Sequence, residues 1–160
     1  MKTFWKIVLA IVIALVLAQV LHMVEAQLTM NYYMDEAYFG VWSKIMMPEA
    51  GPPPAGFYYY SIGFSLVGWI FFVLVYYILG SAIYGSKAVK GLWYGLFMFL
   101  VGGVPGFLML LLLINLPIAL VLWWMFFSLI INVLAGLFTA LLVMPRHAFK
   151  IVEKTEVEIN

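Results

Sequence analysis

Apolar residues run through this chain in stretches too long for either helical or strand alternation. The first, "FWKIVLAIVIALVLAQVLHMV", covers about 4–24, and the second, "SIGFSLVGWIFFVLVYYILGSAIYG", covers about 61–85. Runs of 18 or more apolar residues predict membrane-spanning helices. From position 92 to 144 the chain passes 53 residues without a charge (144 − 92 + 1). At ~1.5 Å rise per residue this is far more than a bilayer core of ~30 Å needs, so the run turns once. The turn is expected at "INLP", 114–117, where the residue before Pro117 is pushed out of the helical region and Asn115 favours a turn. The other break, "GGVPG" (102–106), would leave only ten residues from 92 to 101, too few to cross. Spans three and four are therefore expected at about 91–115 and 117–143.

Between spans one and two lies a loop, 25–60. Within it, "MDEAYFGVWSKIMM" (34–47) places apolar residues at helical spacing, with Asp35, Glu36, Ser43 and Lys44 as the polar positions. That pattern predicts a short amphipathic helix lying on the membrane surface or capping the bundle, ended by Pro48. "EAGPPPAG" reads as a stiff extended link. The loop reads either as a device that ties the bundle together or as a lid or docking platform. The expected fold is thus one all-α integral membrane domain, a four-span antiparallel helix bundle with a short outer helix between spans one and two and a tail at 145–160.

Composition agrees: 67% of residues are hydrophobic and 9% are charged, against about a quarter charged in soluble domains. Lys2, Lys6, Lys87, Lys90, Arg146, Lys150 and Lys154 fall on one side of the predicted membrane, and Lys44 alone on the other. The positive-inside rule then puts both termini in the cytoplasm and loop 25–60 outside, across a cytoplasmic (inner) membrane. Trp5, Tyr84, Trp93 and Tyr94 form one expected interfacial belt, and Trp42 with Tyr58, Tyr59 and Tyr60 the other. "MKTFWK" with its apolar core and "VEA" before Gln27 also has the form of a signal peptide; retention as span one is the reading adopted, and cleavage would leave three spans in the same orientation.

Helix breakers and small residues recur inside the spans. Gly91, Gly95, Gly102 and Gly106 share one face of span three, and Ser128, Asn132, Ala135, Gly136 and Thr139 one face of span four; Ala10, Ala14 and Ala18 stripe span one. Such faces let helices approach closely in lipid, so spans three and four are expected to pack through them. Pro105 cannot donate to the carbonyl of Val101. A kink at mid-membrane is the result, near Gly102 and Gly103, with the Asn132 amide at the same depth as the expected donor. Gly102, Gly103, Pro105, Ser128, Asn132 and Thr139 form a candidate midplane polar site.

Little else bears chemistry. The net charge of +1 suggests no nucleic-acid partner, and the absence of cysteine excludes disulfides and thiolate sites. Gln19, His22 and Glu25 share a face at the outer end of span one, a candidate outer-face site. Its metal form would rest on His22 with the methionines at 23, 30, 34, 46 and 47, a set suited to copper(I). Haem ligation by two histidines is disfavoured, because His147 falls at the opposite face. Ser128 and Thr139 have no neighbouring base, so no catalytic residues are assigned and no cofactor is expected. Three functional readings are open. The first is a non-enzymatic subunit whose partners are the lipid bilayer and other membrane subunits or itself. The second is a channel or facilitator for a small neutral solute through the kinked midplane. The third is an outer-face metal-binding protein.

Overall fold

The computed structural model describes residues 2–47 and 53–146. Helix α1 (Thr3–Leu28) is followed by one turn, α2 (Met30–Tyr33), and a 3-10 turn at Glu36–Val41. Helix α3 (Ala55–Leu79) closes with a 3-10 turn at Gly80–Ala82. Helix α4 (Lys87–Met98), a π turn (Phe99–Gly103) and α5 (Val104–Leu113) form one continuous span, and α6 (Ile118–Leu142) returns. Four stretches, Thr3–Leu28, Ala55–Ala82, Lys87–Leu113 and Ile118–Leu142, are long and apolar enough to cross a membrane. The fold is the expected all-α four-helix bundle, with no strand among the described residues. Both ends of the described chain lie at one face, here the termini face; the other is the loop face.

The turn between spans three and four falls at "INLP". Ile114 is extended (φ −127°, ψ 132°), and Pro117 caps α6, accepting from the N–H of Leu120 at 3.0 Å. Span two begins earlier than its apolar run suggests. Pro54 takes the cap position of α3 and accepts from the Phe57 N–H at 3.0 Å, so the helix already includes Tyr58 to Tyr60. A proline just ahead of the first turn forfeits no helical bond, which makes it a natural start.

Between spans one and two the structure places a short helix, as expected, but of 3-10 form and over fewer residues than the pattern suggests. In place of an α-helix over 34–47 there is a six-residue 3-10 turn, after which Trp42 is extended. Two side-chain bonds flank it. Asp35 Oδ1 accepts from the Ala37 N–H at 3.0 Å, and Ser43 Oγ accepts from the Met46 N–H at 3.2 Å. The first caps the start of the 3-10 helix, and the second closes a turn after its end. The predicted stop at Pro48 lies outside the described residues, as does the tail beyond Arg146; of the predicted link only Pro53 to Gly56 is described.

Helix α6 is the axis of the bundle, packed along α4 on one side and α1 on another, while α3 leans on α1. The alanine stripe of α1 faces inward, with Ala10, Ala14 and Ala18 all buried. The termini half of the core is aromatic. Phe72 and Tyr76 of α3 meet Tyr94 of α4 edge to face, with ring centroids 4.8 and 5.1 Å from it, and the Tyr94 hydroxyl donates to the Phe72 carbonyl. Tyr94 therefore belongs to the core and not to the expected interfacial belt, whose Trp5, Tyr84 and Trp93 are exposed. A buried phenol needs an acceptor, and the α3 carbonyl supplies it.

Candidate functional site

The seam between α4 and α6 is built on backbone-to-backbone contact. A Cβ added at Gly91 would lie 2.6 Å from the Gly136 carbonyl oxygen and 2.7 Å from Leu137 Cα. One added at Gly95 would collide with the Asn132 carbonyl and stand 2.7 Å from Val133 Cα. Gly136 meets Gly91 and Gly95 in return. Three glycines thus bring two helix axes to a separation that no side chain permits, the close approach that drives association in lipid.

The glycine face does not continue through span three. At the π turn the Val104 N–H donates to the Phe99 carbonyl, five residues back. The turn absorbs Pro105, which sits in the opening turn of α5 where its lost donor matters least. Each extra residue in a helical turn rotates the remainder of the helix by about 100°. Gly102 and Gly106 accordingly face away: a Cβ at either would meet nothing within 4 Å. Gly103 instead sits against the ring of Phe99, 2.8 Å from where its Cβ would be.

The Asn132 amide, expected to bond the carbonyl freed by Pro105, is used elsewhere. Its Nδ2 donates to the Ser128 carbonyl at 2.8 Å and lies 3.4 Å from Ser128 Oγ, both on its own helix. The i,i+4 geometry favours this bond because it requires no second helix. Thr139 is fully buried and its hydroxyl has no partner among the described residues. It stands seven residues from Asn132, about 10 Å along α6. Ser128 and Asn132 are therefore brought together, Gly102 and Gly103 lie in the π turn with Pro105 just after it, and Thr139 lies apart. Neither the groove at the α5–α6 turn nor the cleft at the termini face is lined by any of the six.

At the loop face the three candidates also divide. Gln19 Nε2 reaches Ser65 Oγ at 3.4 Å and links α1 to α3. His22 Nδ1 stands 3.9 Å from Glu25 Oε2, with the imidazole more than half exposed and the carboxylate buried. Thr29 Oγ1 lies 2.8 Å from both the Glu25 carbonyl and Oε1, and so can donate to either. Among the described residues no three of His, Cys, Asp or Glu gather to hold a metal. Met23 and Met34 point outward from the His22 neighbourhood, and both are exposed.

What sequence reasoning missed here is an aromatic clasp. Trp124 Nε1 of α6 donates to the Tyr33 hydroxyl at 3.0 Å. The Trp42 ring lies 5.1 Å from that of Tyr33 and 6.3 Å from that of Trp124. Burial raises the Tyr33 pKa to about 12; the Glu25 carboxylate adds to the rise, while hydrogen bonds with Trp124 and Thr29 oppose it. The clasp ties the 3-10 turn to the end of α1 and the start of α6. Tyr33 and Trp124 are separated by 91 positions, too far for any local signal.

Compared with known proteins, the chain matches no family model, no curated protein and no solved structure.

Proposed function

We propose that this small helical membrane protein is a non-enzymatic subunit that works by binding another membrane helix, from a second copy or a larger complex. The observation that carries the reading is α5. No residue of α5 is buried, and Gly102 and Gly106, one helical turn apart, present a surface with nothing in front of it. In the same span Gly91 and Gly95 show what such a pair does when a helix occupies it. The lysine and arginine distribution supports both termini in the cytoplasm and loop 25–60 outside.

Native mass spectrometry of the protein extracted from its own membrane in mild detergent is the test. A homo-oligomer or a stoichiometric second polypeptide is expected. Gly102→Leu and Gly106→Leu should return it to a monomer with the helical circular dichroism unchanged. A monomer before any substitution would sink the proposal.

A further inference from the structure

At the termini face the chain leaves α6 and turns back onto the bundle. Val143 is extended (φ −99°, ψ 123°) and buried, and the Arg146 N–H donates to the Tyr77 carbonyl at 2.7 Å. Tyr77 belongs to the last turn of α3, where carbonyls lack donors further along the helix and take partners from elsewhere. This bond holds the exit of α6 against the end of α3. The chain that follows therefore starts at the bundle.

The exit runs along the rim of a cleft of about 240 Å³. Val143, Met144 and Pro145 line it, together with Ala140 and Tyr76. Its charged lining is Lys87 and Lys90, three positions apart in the first turn of α4 and so on one face of it. Neither lysine makes an ion pair among the described residues, and the described carboxylates, Glu25, Asp35 and Glu36, belong to the opposite end of the bundle.

The rest of the chain has the matching chemistry. Residues 153–160 carry three acids, Glu153, Glu156 and Glu158, against one lysine. In "EVEI" (156–159) acid and apolar residues alternate, a period that puts the two kinds on opposite sides of an extended segment. The cleft offers two such sides, ammonium groups from α4 and apolar groups from α6. Glu156 stands ten positions beyond Arg146 (156 − 146), a reach of up to ~33 Å, ample for a return to a cleft whose rim includes Met144.

We propose that residues 153–159 dock in this cleft as a strap across the termini face. Their carboxylates meet Lys87 and Lys90, and their valine and isoleucine side chains meet Ala140, Val143 and Met144. The docked strap keeps the two lysines from the anionic headgroups that basic residues at this membrane face otherwise attract. The reading is independent of any helix docking on α5.

The test uses the full chain reconstituted in phosphatidylcholine. Acetylation of each lysine by N-hydroxysuccinimidyl acetate is followed by peptide mass spectrometry. With Glu153→Gln, Glu156→Gln and Glu158→Gln combined, the rates at Lys87 and Lys90 are expected to rise about fivefold, while those at Lys2 and Lys6, at the same face, stay as they were. Zero-length carbodiimide coupling needs no substitution. Applied to a mixture of isotope-labelled and unlabelled copies, it is expected to give amide links from Glu156 or Glu158 to Lys87 or Lys90 within one copy. The proposal is overturned by an equal rise at all four lysines, by no rise at the cleft pair, or by links that miss that pair or join labelled to unlabelled copies. Protection of Lys87 and Lys90 that requires phosphatidylglycerol and survives the three substitutions would also overturn it, and would assign the cleft to a lipid headgroup.

Discussion

At the scale of single residues, the glycines of span three divide sharply by what stands before them. At Gly95 a methyl group would enter the backbone of α6, so Gly95→Ala is expected to cost about 3 kcal/mol in thermal or denaturant unfolding. At Gly102 the same change meets open space and should be neutral to stabilising by up to about 1 kcal/mol. Asn132→Leu removes only a bond within one helix, and about 1 kcal/mol or less should be lost. A neutral-solute pathway through Asn132 would instead show as flux into proteoliposomes that the substitution abolishes. Tyr33 makes a prediction in pH. Its phenolate absorbance, isolated by difference from Tyr33→Phe, should rise with a midpoint near 12. The unfolded chain gives up that proton at the ordinary value of 10, so between 10 and 12 the unfolded state binds fewer protons than the folded one. The contribution of Tyr33 to stability is therefore full below pH 10 and is lost as the pH rises through about 12.

At the scale of elements, the four spans and the "INLP" turn are legible in the sequence because length and proline chemistry are local properties. The contact of Gly91 and Gly95 with Gly136 is legible for the same reason: small residues four apart show on a helical wheel. A change of period within the span is not. A face drawn through Gly91, Gly95, Gly102 and Gly106 assumes an unbroken α-helix, and the π turn breaks it between the second and third. The signal is present in the two adjacent glycines and Pro105, but in one dimension it reads as a kink needing a donor from α6. The outer loop is legible in part: its apolar spacing predicts a short helix, and one forms at Glu36–Val41, capped by Asp35, though in 3-10 form and shorter than the pattern. Asp35→Ala removes the cap of the 3-10 helix and should cost about 1 kcal/mol in denaturant unfolding, with helical circular dichroism unchanged or slightly lower.

At the scale of the whole molecule, the charged side chains of the described residues lie at the two ends of the bundle. The loop face holds a buried carboxylate and a clasp of three aromatic rings. The termini face holds a cationic cleft. Between them the bundle is held by close backbone packing around α6 and by aromatic edges around Tyr94. Neither end is visible as a whole in the sequence, because each is assembled from segments that meet only after α6 has returned through the membrane. His22 and Glu25 are recognisable as neighbours by their spacing of three; Tyr33, Trp42 and Trp124 share no such spacing. Lys87 and Lys90 read in one dimension as topology signals, and only the arrival of Val143 and Met144 beside them makes a cleft.

The π turn has a consequence for how this chain tolerates mutation over evolutionary time. Five residues separate a half-span whose glycines are pinned by their neighbours from a half-span with no fully buried residue, whose Gly106 faces open space. If α5 docks a partner helix as proposed, drift in α5 alters that docking more than it alters the bundle, while drift at the α4 glycines is removed by misfolding. A single span thus carries two independent selection pressures end to end, and substitutions sampled at random should accumulate on the far side of Gly103.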